Sequence, residues 1–404
     1  MRVDFILRGA GRLVTCAPGY GEGPLGVIEN GALAASEGVV RWVGSERELK
    51  SIDFADAVTE LDAAGNTVMP GLIDCHTHLV FAGDRSGEFA ARLRGQPYAS
   101  GGIRNTVEAT RAAPDEELRR LARARLDRFL SFGVTTVEAK SGYGLTPEHE
   151  RRLLEISATL EHPVDVVRTF LGAHVVPAEY ADDPGGYVDL VCEGMIPTLG
   201  NLAEFADVWC DVGAFTVEQC RTILRAARAE GLSVKVHAEQ LSRSGGAAVA
   251  AEFGATSADH LENATEEDAD ALARAKTIGV MLPGASMMTG GRFAPARMLI
   301  ERGVRLAIST DLNPGTSYTE NLPLMVALAC TELKMTPEEA ILGVTRHAAA
   351  AVAREGKIGS LEPGAQCDFV ALDGKSELDL VYHYGVSPAM SVVKRGETVS
   401  GPLA

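Results

Sequence analysis

His76 and His78 flank a single threonine at the end of an apolar run, in the segment VMPGLIDCHTHLVFAG at residues 68–83. On an extended chain alternate side chains share a face, so both imidazoles point to the same side. A lone His-x-His pair is commonly chance. Three other apolar runs, however, also end in ligand-type residues: His237 in KVHAEQ, His260 in SADHLE and Asp311 in RLAISTD. Singly, His260 reads as well as a hydrogen-bonded core histidine, and Asp311 as a helix cap. Jointly, imidazoles and a carboxylate at four strand ends form a donor set suited to one divalent ion. Such an ion acidifies water and polarises a carbonyl, the two needs of a hydrolase.

Four strand ends meet only in a fold that gathers them. Apolar β-prone runs near 67–75, 134–140, 165–173, 206–210, 233–238, 256–260, 278–283 and 304–310 alternate with amphipathic stretches. Eight such repeats predict an α/β chain forming a (β/α)8 TIM-like barrel, whose C-terminal mouth collects the strand ends. Helix starts agree with this. Thr216 to Gln219 and Thr336 to Glu339 fit capping boxes, and Pro147 and Pro337 follow threonines at the first helical position. The stretch DEELRRLARARLDRFLSFG places Leu118, Leu121, Ala122, Leu126 and Phe129 on one helical face. Both termini instead read as short β segments broken by glycine. The predicted organisation is a small discontinuous β-sandwich domain, 1–66 plus 355–404, around a metal-binding catalytic barrel over 67–354.

The 404 residues suffice for one large and one small domain. A content of 46% hydrophobic and 23% charged residues is that of a folded globular enzyme, and no apolar run approaches a bilayer span. The N-terminal MRVDFILRGAGRL lacks a signal-peptide pattern, so the expected location is cytoplasmic. Cys16, Cys75, Cys192, Cys210, Cys220, Cys330 and Cys367 are scattered and odd in number, which argues for reduced thiols. A net charge of −17 without a basic tract argues against nucleic acid and anionic membrane as partners. An anionic substrate in that field needs a particular arginine to hold it.

The order PGLIDCHTH, a strand-end His, another strand-end His and a last strand-end Asp resembles the amidohydrolase superfamily. The likeness covers nearly the whole chain, including Gly359–Val370 in the C-terminal β segment. Within the superfamily, six blocks in order are similar to the imidazolonepropionase family. They are HTHLVFAGDR (76–85), KSGYGL (140–145), FLGAHVVP (170–177), VHAEQ (236–240), ADHLE (258–262) and STDLNPGTS (309–317). The resemblance implies hydrolysis of the ring C–N bond of 4-imidazolone-5-propanoate to N-formimidoyl-L-glutamate, a step of histidine degradation. It also implies that His76, His78, His237 and Asp311 hold one divalent metal ion, zinc or iron. The fourth barrel strand, ADVWCD, lacks the lysine with which some members bridge two metals, which favours one ion. Lys140, on the second strand, reads as structural or ion-paired.

By the same resemblance His260 and Asp311 are catalytic, with Glu239 as an alternative base. Arg85, Tyr143, His174, Gln240, Asn313, Gly315 and Thr316 match substrate-contacting positions. Some members have Glu at position 240; the amide of Gln240 orients water or substrate but accepts no proton as a base. Arg85 suits the propanoate carboxylate, against the plain alternative of a solvated surface arginine. His149, His162, His347 and His383 are assigned no site role. The partners implied are a small anionic cyclic amide and a second copy in a homodimer. The metal motif alone also fits a ring deaminase or another cyclic amidase, and Arg85 with KSGYGL and LNPGTS separates these. A catalytically silent barrel is the remaining alternative, and retention of every expected ligand argues against it.

Overall fold

The computed structural model describes residues 2–51, 53–96 and 102–403. Its strands are β1 (Arg2–Val14), β2 (Val27–Ser36), β3 (Val39–Ser45), β4 (Asp53–Asp62), β5 (Thr67–Pro70), β6 (Leu72–Thr77), β7 (Val134–Lys140) and β8 (Asp165–Ala173). They continue as β9 (Phe205–Cys210), β10 (Ser233–Ala238), β11 (Ser257–His260), β12 (Ile278–Met281), β13 (Leu306–Ile308), β14 (Phe369–Leu372), β15 (Ala389–Lys394) and β16 (Glu397–Ser400). The termini build one sheet in the order β16-β15-β14-β5-β1-β2-β3, with β4 parallel to β1. Its edge β3 turns back onto the segment that feeds β14: Val40 N donates to Ala365 O at 2.8 Å and Gly364 N to Val40 O at 2.9 Å. The sheet thereby folds over a core containing Phe5, Leu7, Leu33, Val43, Phe369 and Val393, as expected for a sandwich made from both ends.

The second sheet runs β6 to β13 in chain order, each neighbouring pair parallel. It closes where β6 meets the end of β13: Asp311 N donates to His76 O at 3.1 Å and His78 N to Leu312 O at 2.9 Å. Helices lie between successive strands, and β6, β7 and β9 are buried at every residue. Helices cover the outer face and the barrel interior takes the other, so these strands are buried throughout even where they carry Asp74, His76, Glu138 and Lys140.

The run at 67–75 is not one strand, as the sequence suggests, but two. Thr67–Pro70 joins β1 and β14 in the terminal sheet, and Leu72–Thr77 opens the barrel. The chain passes between sheets at Gly71, where an added Cβ would stand 2.4 Å from Thr135. Both halves are buried, so hydrophobic pattern alone does not mark the break. The run at 278–283 ends as a strand at Met281, because Pro283 starts the helix Pro283–Thr289.

Thr146, Thr216 and Thr336 cap their helices as expected, the last two in full capping boxes. A third box, Thr265 with Asp268, escapes a search for Glu or Gln at that position. On the helix Asp115–Ser131, Leu118, Ala122, Leu126 and Phe129 are buried and Leu121 is half-buried. Arg125 shares the buried face. Its guanidinium lies 3.5 Å from the Phe81 ring centroid and donates to Leu79 O at 2.8 Å and Phe81 O at 3.0 Å. An arginine thus pins the segment that leaves His78.

Candidate metal centre and cleft

The five residues singled out at strand ends converge. His76 lies on β6, His78 just beyond it, His237 on β10, His260 at the end of β11, and Asp311 follows β13; all are buried. Ligand atoms of His76, His78 and His237 lie within 4.8 Å of one another, as do those of His76, His260 and Asp311. Asp311 Oδ1 is 3.5 Å from His76 Nε2 and 3.9 Å from His78 Nε2. Among the described residues, His76 Nε2 and His237 Nε2 are buried with no hydrogen-bond partner. Buried polar atoms are seldom left so, and a shared cation would satisfy both. The residues present therefore fit a metal ion.

A layer of charge beneath the centre holds the imidazoles. His76 Nδ1 is 2.6 Å from Asp259 Oδ2, which orients the ring and leaves Nε2 as the donor atom. His237 Nδ1 lies 3.0 Å from Asp207 Oδ2, off line for a hydrogen bond. Lys140 Nζ stands 2.7 Å from Asp207 and 3.3 Å from Asp259, with Glu138 at 3.0 Å and Lys235 against Glu138 at 2.9 Å. Lys140 is thus ion-paired. Burial opposes its charge, yet Asp207, Glu138 and Asp259 outweigh burial and raise its pKa. Burial, together with Lys140 for His76 and His174 for His78, lowers both histidines well below the ordinary range, so both rings stay neutral. Burial also works against charge on His260, but Glu262, whose Oε1 is 3.4 Å from Nδ1, raises its pKa.

Above the centre is a cleft lined by His78, Arg85, Ile103, Tyr143, His174, Trp209, His237, Gln240, His260, Asp311, Asn313 and Thr316. Of the residues expected at the site, His76 sits behind the lining, and Gly315 packs beneath Arg85. Arg85 is buried, not the solvated arginine of the plain reading. Its Nε and Nη2 donate to Glu88 Oε2 at 3.0 and 2.7 Å, and a Cβ at Gly315 would stand 2.1 Å from Nη1. Tyr143 rides on a turn held by Glu150, whose carboxylate accepts from Gly142 N at 3.1 Å and from Gly144 N and Leu145 N at 2.8 Å. His174 Nδ1 lies 3.0 Å from Gly142 O. Burial, with His237, holds the His174 pKa down to about 3, so that ring is neutral too.

Asn313 lines the cleft, but its amide serves the turn. Nδ2 donates to Asp311 O at 2.7 Å and Thr316 Oγ1 at 2.8 Å, and Oδ1 accepts from Gly315 N and Thr316 N. Thr316 Oγ1 in turn donates to Asp311 Oδ2 at 3.0 Å. The Asn-Pro-Gly-Thr turn therefore orients Asp311. Glu239 accepts from Ser244 N, Gly245 N and Ala247 N and is not among the residues that line the cleft. Sequence reasoning missed Trp209 and Ile103 in the cleft, and Asp207, Asp259 and Glu88 in support. Asp207 lies two residues before the cleft-lining Trp209 on its strand, whereas Asp259 is adjacent to His260, so strand alternation does not point to it. Backbone strain collects here: φ is 84° at His260, 53° at Asp311 and 56° at Glu239, left-handed values that non-glycine residues seldom adopt.

Residues 67–403 match the amidohydrolase family. Over 419 residues the chain is 47% identical to the imidazolonepropionase of Geobacillus sp. (strain WCH70), covering 99% of this chain and 98% of that protein. The imidazolonepropionase of Rhodococcus jostii (strain RHA1) is 46% identical, covering 97% of this chain and 93% of its own. Among solved structures, a zinc-bound adenosine deaminase from Xanthomonas campestris superposes with a TM-score of 0.75 at 18% identity, over 99% of this chain and 93% of that one. A zinc-complexed atrazine chlorohydrolase from Arthrobacter aurescens TC1 gives 0.71 at 17% identity, over 98% and 95%. Among the described residues no helix is long and apolar enough to cross a membrane.

Proposed function

The chain belongs to the amidohydrolase family and, within it, to the imidazolonepropionases, and from that premise we propose how its residues divide the work of opening a cyclic amide. The reaction is hydrolysis of the ring C–N bond of 4-imidazolone-5-propanoate to N-formimidoyl-L-glutamate. The observation that carries the assignment of residues is the convergence of His76, His78, His237 and Asp311 below a cleft with Arg85 in its wall. These four would hold one divalent ion, zinc or iron, since imidazole and carboxylate donors suit either. Bound there, the ion supplies Lewis acidity to the amide carbonyl and lowers the pKa of water. One ion is the proposed count, because Lys140 and Lys235 are both committed to buried carboxylates.

Asp311 takes the proton of the attacking water on its carboxylate and passes it to the departing ring nitrogen, while Thr316 keeps that carboxylate in place. His260, with Glu262 behind it, donates to the oxygen on which charge develops. Arg85 grips the propanoate carboxylate, its guanidinium fixed by Glu88 and seated on Gly315. Tyr143, His174 and Gln240 complete the walls that orient the ring. We further place the enzyme in the cytoplasm as a homodimer, and divide the chain into a terminal β domain and a catalytic barrel, with Thr67–Pro70 counted in the former.

The test is an absorbance assay with freshly generated imidazolonepropanoate and metal-loaded protein, with His237→Ala as control. Metal-dependent loss of substrate with formation of formimidoylglutamate is expected. No turnover by folded, metal-bound protein would overturn the substrate assignment and point to hydantoins or ring amines.

A further inference from the structure

One donor in the cleft takes no part in those steps. Trp209 lies on β9 two residues after Asp207, so the two side chains share the inward face that carries the metal-supporting carboxylate. Strand register sets it beside His237, and its ring is 5.7 Å from that of His174. Trp209 is 4% exposed and lines the cleft, yet among the described residues its Nε1–H has no acceptor. An indole N–H donates only, and a buried donor without a partner is costly, so few survive in native interiors. The cleft is where a ligand would bring the missing acceptor.

The barrel order says which end of the ligand that is. Arg85 follows β6 and rests on Gly315 beyond β13, and these two strands are neighbours at the closure. β9 lies across the mouth, with β7 and β8 between it and β6 on one side and β10 to β12 between it and β13 on the other. A carboxylate tail held at Arg85 therefore leaves the ring facing Trp209. We propose that Trp209 is a specificity-determining residue whose indole N–H donates to an acceptor atom of the ligand's heterocycle. This rests on the substrate reading above. It selects rings that carry an oxygen or unprotonated nitrogen at that edge over rings that present N–H or C–H.

Trp209→Phe keeps an aromatic wall and removes the donor. Its KM for imidazolonepropanoate should rise about fivefold to tenfold, the scale of one hydrogen bond, while kcat changes little. A wild-type KM would overturn the proposal. A second readout is optical, because the chain has two tryptophans. In Trp42→Phe the remaining emission comes from Trp209 and should shift on titration with imidazole-4-propanoate, which has ring and tail, but not with butanoate, which has the tail alone. Equal responses to both, or none to either, would overturn it. Should the wild type fail to turn over imidazolonepropanoate, the substrate reading falls, and the emission titration still decides the role of Trp209.

Discussion

Gly315 acts through the side chain it lacks. The Arg85 guanidinium lies across it, tied on its Nε edge to Glu88, with Gly102 on the far side, where a Cβ would stand 2.4 Å from Nη2. Arg85→Ala should raise KM about tenfold to a hundredfold, the scale of hydrogen bonds to a charged group, with metal content unchanged. Gly315→Ala should displace the guanidinium and raise KM in the same direction by less, leaving kcat near wild type. Steady-state kinetics with metal analysis checks both, and wild-type affinity in Arg85→Ala would remove it from substrate binding. The importance of Arg85 was legible as the arginine nearest the metal motif in a chain of net charge −17. The function of Gly315 was not, because a glycine beneath an arginine 230 positions earlier leaves no local pattern.

Among the elements, the turn carrying Tyr143 shows how a helix serves the cleft. Glu150 sits on Pro147–Ala158 and, though buried, accepts from three backbone amides of the preceding turn. Burial raises its pKa and the hydrogen bonds oppose the rise. Glu150→Ala would leave those donors unpaired, costing about 2–4 kcal/mol of stability, and would loosen Tyr143, so KM should rise as well. A lower denaturation midpoint with unchanged KM would show that the turn matters to folding alone. Arg125 makes a parallel case on Asp115–Ser131: Arg125→Met should cost about 1–3 kcal/mol of stability, read as a lower denaturation midpoint, because the Leu79 and Phe81 carbonyls lose their donor. Helix faces and caps were legible in advance from apolar spacing and from threonines before proline or before Gln and Glu. Arg125 was not, because a buried arginine on an apolar face looks like a charge at the edge of a stripe.

For the molecule as a whole, the metal centre and its support tie β6, β7, β9, β10, β11 and β13 together through His76, Lys140, Asp207, His237, Asp259 and Asp311. Ions that bind only the folded chain stabilise it by about 4 kcal/mol at a thousandfold excess over Kd. Chelation should therefore lower Tm by several degrees, and zinc or iron(II) should restore it. A Tm indifferent to chelator and to added metal would exclude a resident ion. The sequence by itself determined the eight-fold alternation, the strand-end histidines and aspartate that converge, and most of the cleft, because strand periodicity and short motifs are local and survive in one dimension. Only the tertiary structure decided that 67–75 divides between two sheets, that Glu239 is spent on a helix start, that Asn313 braces Asp311, and that Trp209 lines the cleft. The division of 67–75 and the placing of Trp209 depend on segments far apart in the chain coming together, whereas the Glu239 and Asn313 contacts span only two to eight residues and depend on turn geometry, which decides which polar atoms are used and which are left for substrate.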